Sequence, residues 1–183
     1  MLFVFSAPSG SGKTTIVREI LKLHTEFIFS VSATTRTKRE NETDGKDYMF
    51  ITKEDFLQKI ESGDFIEYEL IYDNNYYGTL KSGVDLCLKQ NKKVLFDIDV
   101  KGSLAIKKLY GDKAVLIFIN PPDKDSVRKR LEKRGSETPE TLEIRMKRFD
   151  FEMEKKEEFD YVVNNDDITK AVYESNKIIL KYI

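Results

Sequence analysis

The chain has 183 residues, enough for one domain or one core with inserted lobes. Hydrophobic residues make up 40% and charged residues 34%, a balance that excludes an unfolded polyelectrolyte. Thirty-one Lys and Arg against 32 Asp and Glu leave a net charge of -1, which excludes a general nucleic-acid binder while leaving room for a local basic pocket.

The first element is an apolar strand, Leu2 to Ser6, too short for the core of a signal peptide. Behind it runs Ala7-Pro8-Ser9-Gly10-Ser11-Gly12-Lys13-Thr14-Thr15, which fits the phosphate-loop pattern G-x-x-x-x-G-K-[ST] except that Ala7 replaces the first glycine. Gly10 and Gly12 let successive backbone N–H groups curl inward at a helix N-terminus, where the dipole favours anions. Lys13 adds a point charge, and the Thr14 hydroxyl can meet Mg²⁺. The helix that follows, Thr14 to Leu23, puts Ile16, Val17, Ile20, Leu21 and Leu23 mostly on one face. His24 stands at its end and reads as a surface or capping residue, so no histidine base or zinc site is expected.

A second strand is expected over Phe27 to Ser32. From Ala33 to Asn91 charge and tyrosine crowd together. Strand-like pieces (Tyr48 to Ile51, Phe65 to Tyr72) flank a helix that starts after Thr52 and carries Phe56, Leu57 and Ile60 on one face. This texture reads as an inserted lobe. Cys87, the only cysteine, cannot form an internal disulfide and reads as a small buried apolar residue in the helix-like stretch Val84 to Gln90.

Val94 to Ile98 is a further apolar strand, ending in Asp97 and Asp99, two residues apart and on one side. With a phosphate loop nearby such carboxylates serve metal and water control; without one, a surface turn explains them equally well. Strands over Ala114 to Ile119 and Tyr161 to Val163 complete an alternation of apolar strands with amphipathic helices, the pattern of a parallel sheet covered on both faces. Between them, Asp123 to Phe159 reads as two helices joined near Gly135 to Pro139, with Thr138 as cap and Pro139 at the first helical position. Arg128 to Arg148 holds eight Lys/Arg and four acids, and Arg130/Arg134 and Arg145/Arg148 have spacings that share a helix face. A solvated charged face would look the same. No apolar run nears the about 18 residues of a membrane span, so a reduced, cytoplasmic setting is expected.

The stretches "FSVSATTRTKRENETDGKDYMF", "DFIEYE", "NNYYGT", "LFDIDVKG", "RLEKRGSET" and "VVNNDD" together resemble the guanylate kinase family over nearly the whole chain. The resemblance implies a P-loop kinase fold: an α/β core with a parallel five-stranded sheet flanked by helices (1–33, 92–122 and 159–183), a GMP-binding lobe (34–91) and a helical lid (123–158). It implies transfer of a phosphoryl group from ATP to GMP with Mg²⁺. In the donor site it places the loop residues Ala7 to Thr15 with Arg130, Arg134 and Asn165. In the acceptor site it places Ser32 and Glu67 on the base, Arg36, Arg39, Tyr48 and Tyr77 on the phosphate, and Gly78, Thr79, Asp97 and Arg145 beside them. Lys13, Arg134 and Arg145 become the catalytic cations, and Thr14, Asp97 and Asp99 the metal candidates. Physical chemistry agrees: a carboxylate such as Glu67 accepts from both adjacent donors of guanine, whereas adenine reverses the pattern. Lys38 and Asn41 stand where proline and glycine are common in the family, and Thr79 where serine is. A non-catalytic, peptide-binding relative is the rival reading, opposed by the intact Gly10, Gly12, Lys13 and Thr14. Tyr68, Tyr72 and Tyr76 read as packing residues. The oligomeric state stays open.

Overall fold

The structure, a computed structural model, describes residues 1–40, 42–71, 74–134 and 139–183, with the side chains of Ile71, Arg134 and Pro139 outside that description. Asn41, Tyr72 and Thr138 therefore lie outside the described residues.

Five parallel strands, β1 (Leu2–Ser6), β2 (Ile28–Phe29), β7 (Val94–Asp97), β8 (Ala114–Asn120) and β9 (Tyr161–Asn164), form one sheet in the order β2-β7-β1-β8-β9. Strand alternation divides its side chains between two cores. Phe3 and Phe5 of β1 face Ile16, Val17 and Ile20 of helix α1 (Lys13–Leu23) and Ala171, Ile178 and Ile179 of α7 (Ile168–Ile179). Leu2 and Val4 face the other way, onto Val84 of α3 (Lys81–Lys89) and Val100 and Ile106 of α4 (Val100–Tyr110). The predicted doubly covered sheet is therefore what forms.

A second sheet, β4-β3-β6-β5, comprises β3 (Ala33–Thr34), β4 (Met49–Phe50), β5 (Phe65–Ile71) and β6 (Asn75–Leu80). Its small core is Ala33, Phe56 and Phe65, with Phe56, from α2 (Lys53–Glu61), stacked between Phe65 at 4.3 Å and Tyr76 at 5.2 Å. Thr52 caps α2 by accepting from the Asp55 N–H. A third cluster, Val127, Leu131, Met146 and Phe149, joins α5 (Lys124–Arg134) to α6 (Pro139–Glu154).

Several expectations need correction. The strand over Phe27 to Ser32 shrinks to Ile28–Phe29, because Phe27 turns into the core and stacks on Phe3 at 5.3 Å. Leu23 and Leu57 lie on the solvent side of their helices. His24 follows the last turn of α1 as expected of a cap but is buried, its Nε2 2.6 Å from Asn176 Oδ1 and its ring against Phe27. Cys87 is only half-buried, and Tyr68 is half exposed. The stretch "NNYYGT", for which no strand is expected from the sequence, supplies most of strand β6.

Candidate active site

The phosphate loop leaves β1 at the carboxyl edge of the sheet, where strand order reverses between β7 and β8; open α/β sheets bind their ligands there. Gly10 and Gly12 take φ of 87° and 88°, left-handed values that glycine adopts without strain. Gly12 also has no room for a Cβ, which would sit 2.7 Å from Asn165 Nδ2. That amide donates to the Ser11 carbonyl at 2.6 Å, so Asn165 braces the loop. Gly10, Gly12, Thr15, Arg130, Asn165, Asp166 and Ile168 line a cavity of about 430 Å³ beside it. Ala7 and Pro8 are buried under the loop, while Ser9, Thr14 and Thr15 are exposed.

Lys13 Nζ is ion-paired with Asp97 Oδ1 and donates to the Ile98 carbonyl at 2.9 Å. The loop lysine is thereby tied to the end of β7. From the other side, Arg145 Nη1 of α6 donates to Ser9 Oγ at 2.7 Å. Arg134 ends α5, but its side chain lies outside the described residues.

The second sheet carries the remaining predicted residues. Glu67 of β5 is half-buried, its carboxyl turned to β6 with Oε1 accepting from Thr79 Oγ1 at 2.7 Å. Burial pushes its carboxyl up to about 7, against the pull of the Thr79 hydroxyl and with the push of Asp99 and Glu69. Gly102 of α4 presses on it: a Cβ there would stand 3.0 Å from Glu67 Cδ. Gly78 is required for packing, since a Cβ would come within 2.9 Å of the Glu67 carbonyl and the Phe65 ring.

Arg36 stacks over Tyr48, 5.4 Å from the ring centroid, and Tyr48 meets Tyr77 edge-on at 5.8 Å. Burial raises the Tyr48 phenol, so it stays a neutral donor. Arg36 forks onto Glu42, at 2.7 and 3.0 Å, and the Arg39 N–H donates to the same carboxylate at 2.9 Å. Hydrogen bonding to Glu42 holds Arg36 firmly charged. Glu42 thus occupies the arginine fork with a carboxylate, an anion of the kind a phosphate would supply. Arg39 keeps an exposed side chain, and Ser32 sits just before β3, its carbonyl accepting from the Met49 N–H.

Asp99 and Arg148 join the two halves. Asp99 caps α4 by accepting from the Gly102 N–H at 2.7 Å, and its other oxygen meets Arg148 of α6. Burial and the neighbouring Glu69 push Asp99 up to about 6. Sequence reasoning missed Glu42, Gly102 and Arg148 as site components. The i, i+3 spacing of Arg145 and Arg148 was the available signal for the last.

Among the described residues no group of three or more His, Cys, Asp or Glu could hold a metal by itself. Asp99 is engaged by the α4 terminus and Arg148, as Asp97 is by Lys13. Thr14, Asp97 and Asp99 are hard oxygen donors, a type that suits Mg²⁺ held largely by phosphate oxygens.

Comparison with known proteins agrees with this geometry. The family model described as guanylate kinase matches residues 1–182. A guanylate kinase of Chlorobium chlorochromatii is 46% identical over all of this chain and 95% of its own length, and one of Salinibacter ruber is 44% identical over 100% and 96%. The crystal structure of guanylate kinase from Anaplasma phagocytophilum superposes with a TM-score of 0.79 at 30% identity, covering 100% of this chain and 86% of that one. A phosphate loop at the switch point of a parallel sheet, a second sheet with a buried carboxylate, and full-length similarity converge: the chain belongs to the guanylate kinase family.

Proposed function

We infer that this chain phosphorylates GMP to GDP, with ATP as the phosphoryl donor that its family uses. The observation that carries the reading is the desolvated carboxyl of Glu67, held by Thr79 and pressed by Gly102, which follows the loop lysine's partner Asp97 closely in the chain. A carboxylate in that position accepts from guanine N1–H and the exocyclic amine together. Adenine would leave it facing an acceptor, at a cost of about 1–3 kcal/mol or more.

The roles follow from the chemistry. Backbone N–H groups of the loop Ala7 to Thr15, Pro8 excepted, cradle the ATP phosphates, and Lys13 leaves Asp97 to neutralise them. Arg36, Arg39, Tyr48 and Tyr77 hold the GMP phosphate, for which Arg36 must exchange Glu42 for phosphate oxygens. Ser32 and Glu67 read the base, with Gly78 and Thr79 shaping its wall. Arg130 and Asn165 border the adenosine side. The acceptor is already an anion and requires no strong base, so positioning and charge neutralisation do the work. Lys13, Arg134 and Arg145 supply that charge at the transferring group. Thr14, Asp97 and Asp99 would hold Mg²⁺, which when bound would supply charge neutralisation at the phosphates. In this division 1–33, 92–122 and 159–183 form the core, 34–91 the acceptor lobe and 123–158 the lid.

A coupled assay of ADP formation offered GMP, AMP, CMP and UMP tests the reading. Turnover with GMP alone is expected; equal turnover with AMP or a pyrimidine nucleotide would defeat it. No helix among the described residues is long and apolar enough to cross a membrane.

A further inference from the structure

Arg148 projects from α6 and holds three carboxylates at once, two from other elements and one from its own helix. Its Nη2 donates to Glu69 Oε2 on β5 at 2.7 Å and to Asp99 Oδ2 at the start of α4 at 2.5 Å, while Nε donates to Glu152 Oε1 at 2.8 Å, one turn along its own helix. The guanidinium is about three-quarters buried, and Glu152 nearly fully. Lys101 Nζ adds an exposed contact to Glu69 at 3.1 Å.

Three carboxylates converging on one arginine is an arrangement with excess negative charge, which separates unless the cation holds it together. Two of those carboxylates belong to the pocket around Glu67: Phe65, Glu67, Glu69, Asp99, Lys101 and Gly102 line a common cavity of about 320 Å³. Asp99 also fixes Gly102 through the cap, and Gly102 abuts Glu67. A displacement of Arg148 is therefore passed to the base-reading side chain through contacts that are each close-packed or hydrogen-bonded.

We propose that Arg148 is a positioning residue that ties the lid helix α6 to the acceptor pocket, so that lid position and the placement of Glu69 and Asp99 are set together. The proposal rests on the reading of the Glu67 pocket as the acceptor site. Arg148 touches neither reacting phosphate in this assignment; it acts through the carboxylates it holds. An occupied pocket keeps Glu69 and Asp99 in place for Arg148, which favours the docked lid, and by reciprocity a docked lid favours acceptor binding.

The test uses Arg148→Met, which keeps length without charge, and Arg148→Lys, which keeps charge without the fork. Steady-state kinetics of Arg148→Met is expected to show KM for GMP raised about tenfold, KM for ATP changed less than about twofold and kcat lowered several-fold. Arg148→Lys should recover part of the GMP affinity, because an ammonium can still meet one or two of the carboxylates. Glu69→Gln combined with Arg148→Met should be little worse than Arg148→Met alone, since both remove one coupled contact. Spin labels at Lys147→Cys and Glu54→Cys, with Cys87→Ser, report the lid-to-lobe distance by pulsed dipolar spectroscopy without any substrate. That distance is expected to lengthen and broaden on adding Arg148→Met. An unchanged distance distribution would overturn the coupling even if GMP proved not to be the acceptor. Equal rises in both KM values, or a lowered melting temperature with both KM values intact, would reduce Arg148 to a structural ion pair and overturn the proposal as well.

Discussion

At the scale of single residues, the site is built from charges held in check by one another. Lys13 rests on Asp97, Arg36 on Glu42, and Arg148 on Glu69 and Asp99. Each cation is largely buried; Lys13 and Arg36 stand where an anionic ligand would take them over, whereas Arg148 keeps its carboxylates. Lys13→Ala should cut turnover at least about 100-fold, or about 2.7 kcal/mol of transition-state stabilisation, while the melting temperature changes little. Near-normal turnover would remove Lys13 from the reaction. Glu67 makes a different statement. Burial holds its carboxyl near 7 in the free protein, with Thr79, Asp99, Glu69 and Gly102 around it, whereas guanine requires the ionised form. Binding of GMP then releases a proton below that pH, so kcat/KM for GMP should fall as pH drops from 8 to 6. The GMP phosphate also titrates, at about 6. Glu67→Gln separates the two: in that variant the step near 7 should vanish and only the lower one persist.

At the scale of elements, the inserted sheet has a small core and is the part proposed to carry the acceptor. Its core reduces to Ala33, Phe56 and Phe65 with partly buried neighbours, and β3 and β4 are two residues each. Phe56→Ala should cost about 3–5 kcal/mol locally and raise KM for GMP well above any change in KM for ATP, since the ATP side rests on the larger cores of the parallel sheet. Equal effects on both substrates would show that the lobe and core unfold as one. This lobe was also the least legible part of the sequence. The helix α2 announced itself through Thr52 and the spacing of Phe56 and Ile60. Strand β6 did not, because Gly78 is there to let β5 approach and "NNYYGT" carries no run of apolar residues. By contrast β1, β7 and β8 are buried on both faces and show continuous apolar runs that only a parallel core sheet accounts for.

At the scale of the whole molecule, α5 and α6 lie across the phosphate loop and touch both halves. Val127 and Leu131 stand within 3.3 Å of where a Cβ on Gly10 would be, Arg145 reaches Ser9, and Arg148 reaches the acceptor pocket. Arg145→Ala and Arg134→Ala should therefore each lower kcat more than they weaken GMP binding, as read by calorimetric titration; a large loss of GMP affinity with kcat retained would move them to the acceptor side. The phosphate loop was legible because its chemistry demands fixed types at fixed spacing, whereas the pocket residues were assigned through the resemblance to guanylate kinases. The cross-links between them were not. Arg36 with Glu42 closes the irregular segment between β3 and β4, and Arg148 with Glu69 depends on which helix face meets which strand; no local pattern encodes either. The central claim is that the buried carboxylate of Glu67 selects the base. Its most direct measurement is the ratio of kcat/KM for GMP to that for AMP in the parent and in Glu67→Gln, where an N–H replaces an acceptor and meets the guanine donors head-on. A loss of about 2–4 kcal/mol with GMP is expected, with AMP staying low or rising slightly, so that the ratio collapses; an unchanged ratio would contradict the assignment of Glu67 as the guanine reader.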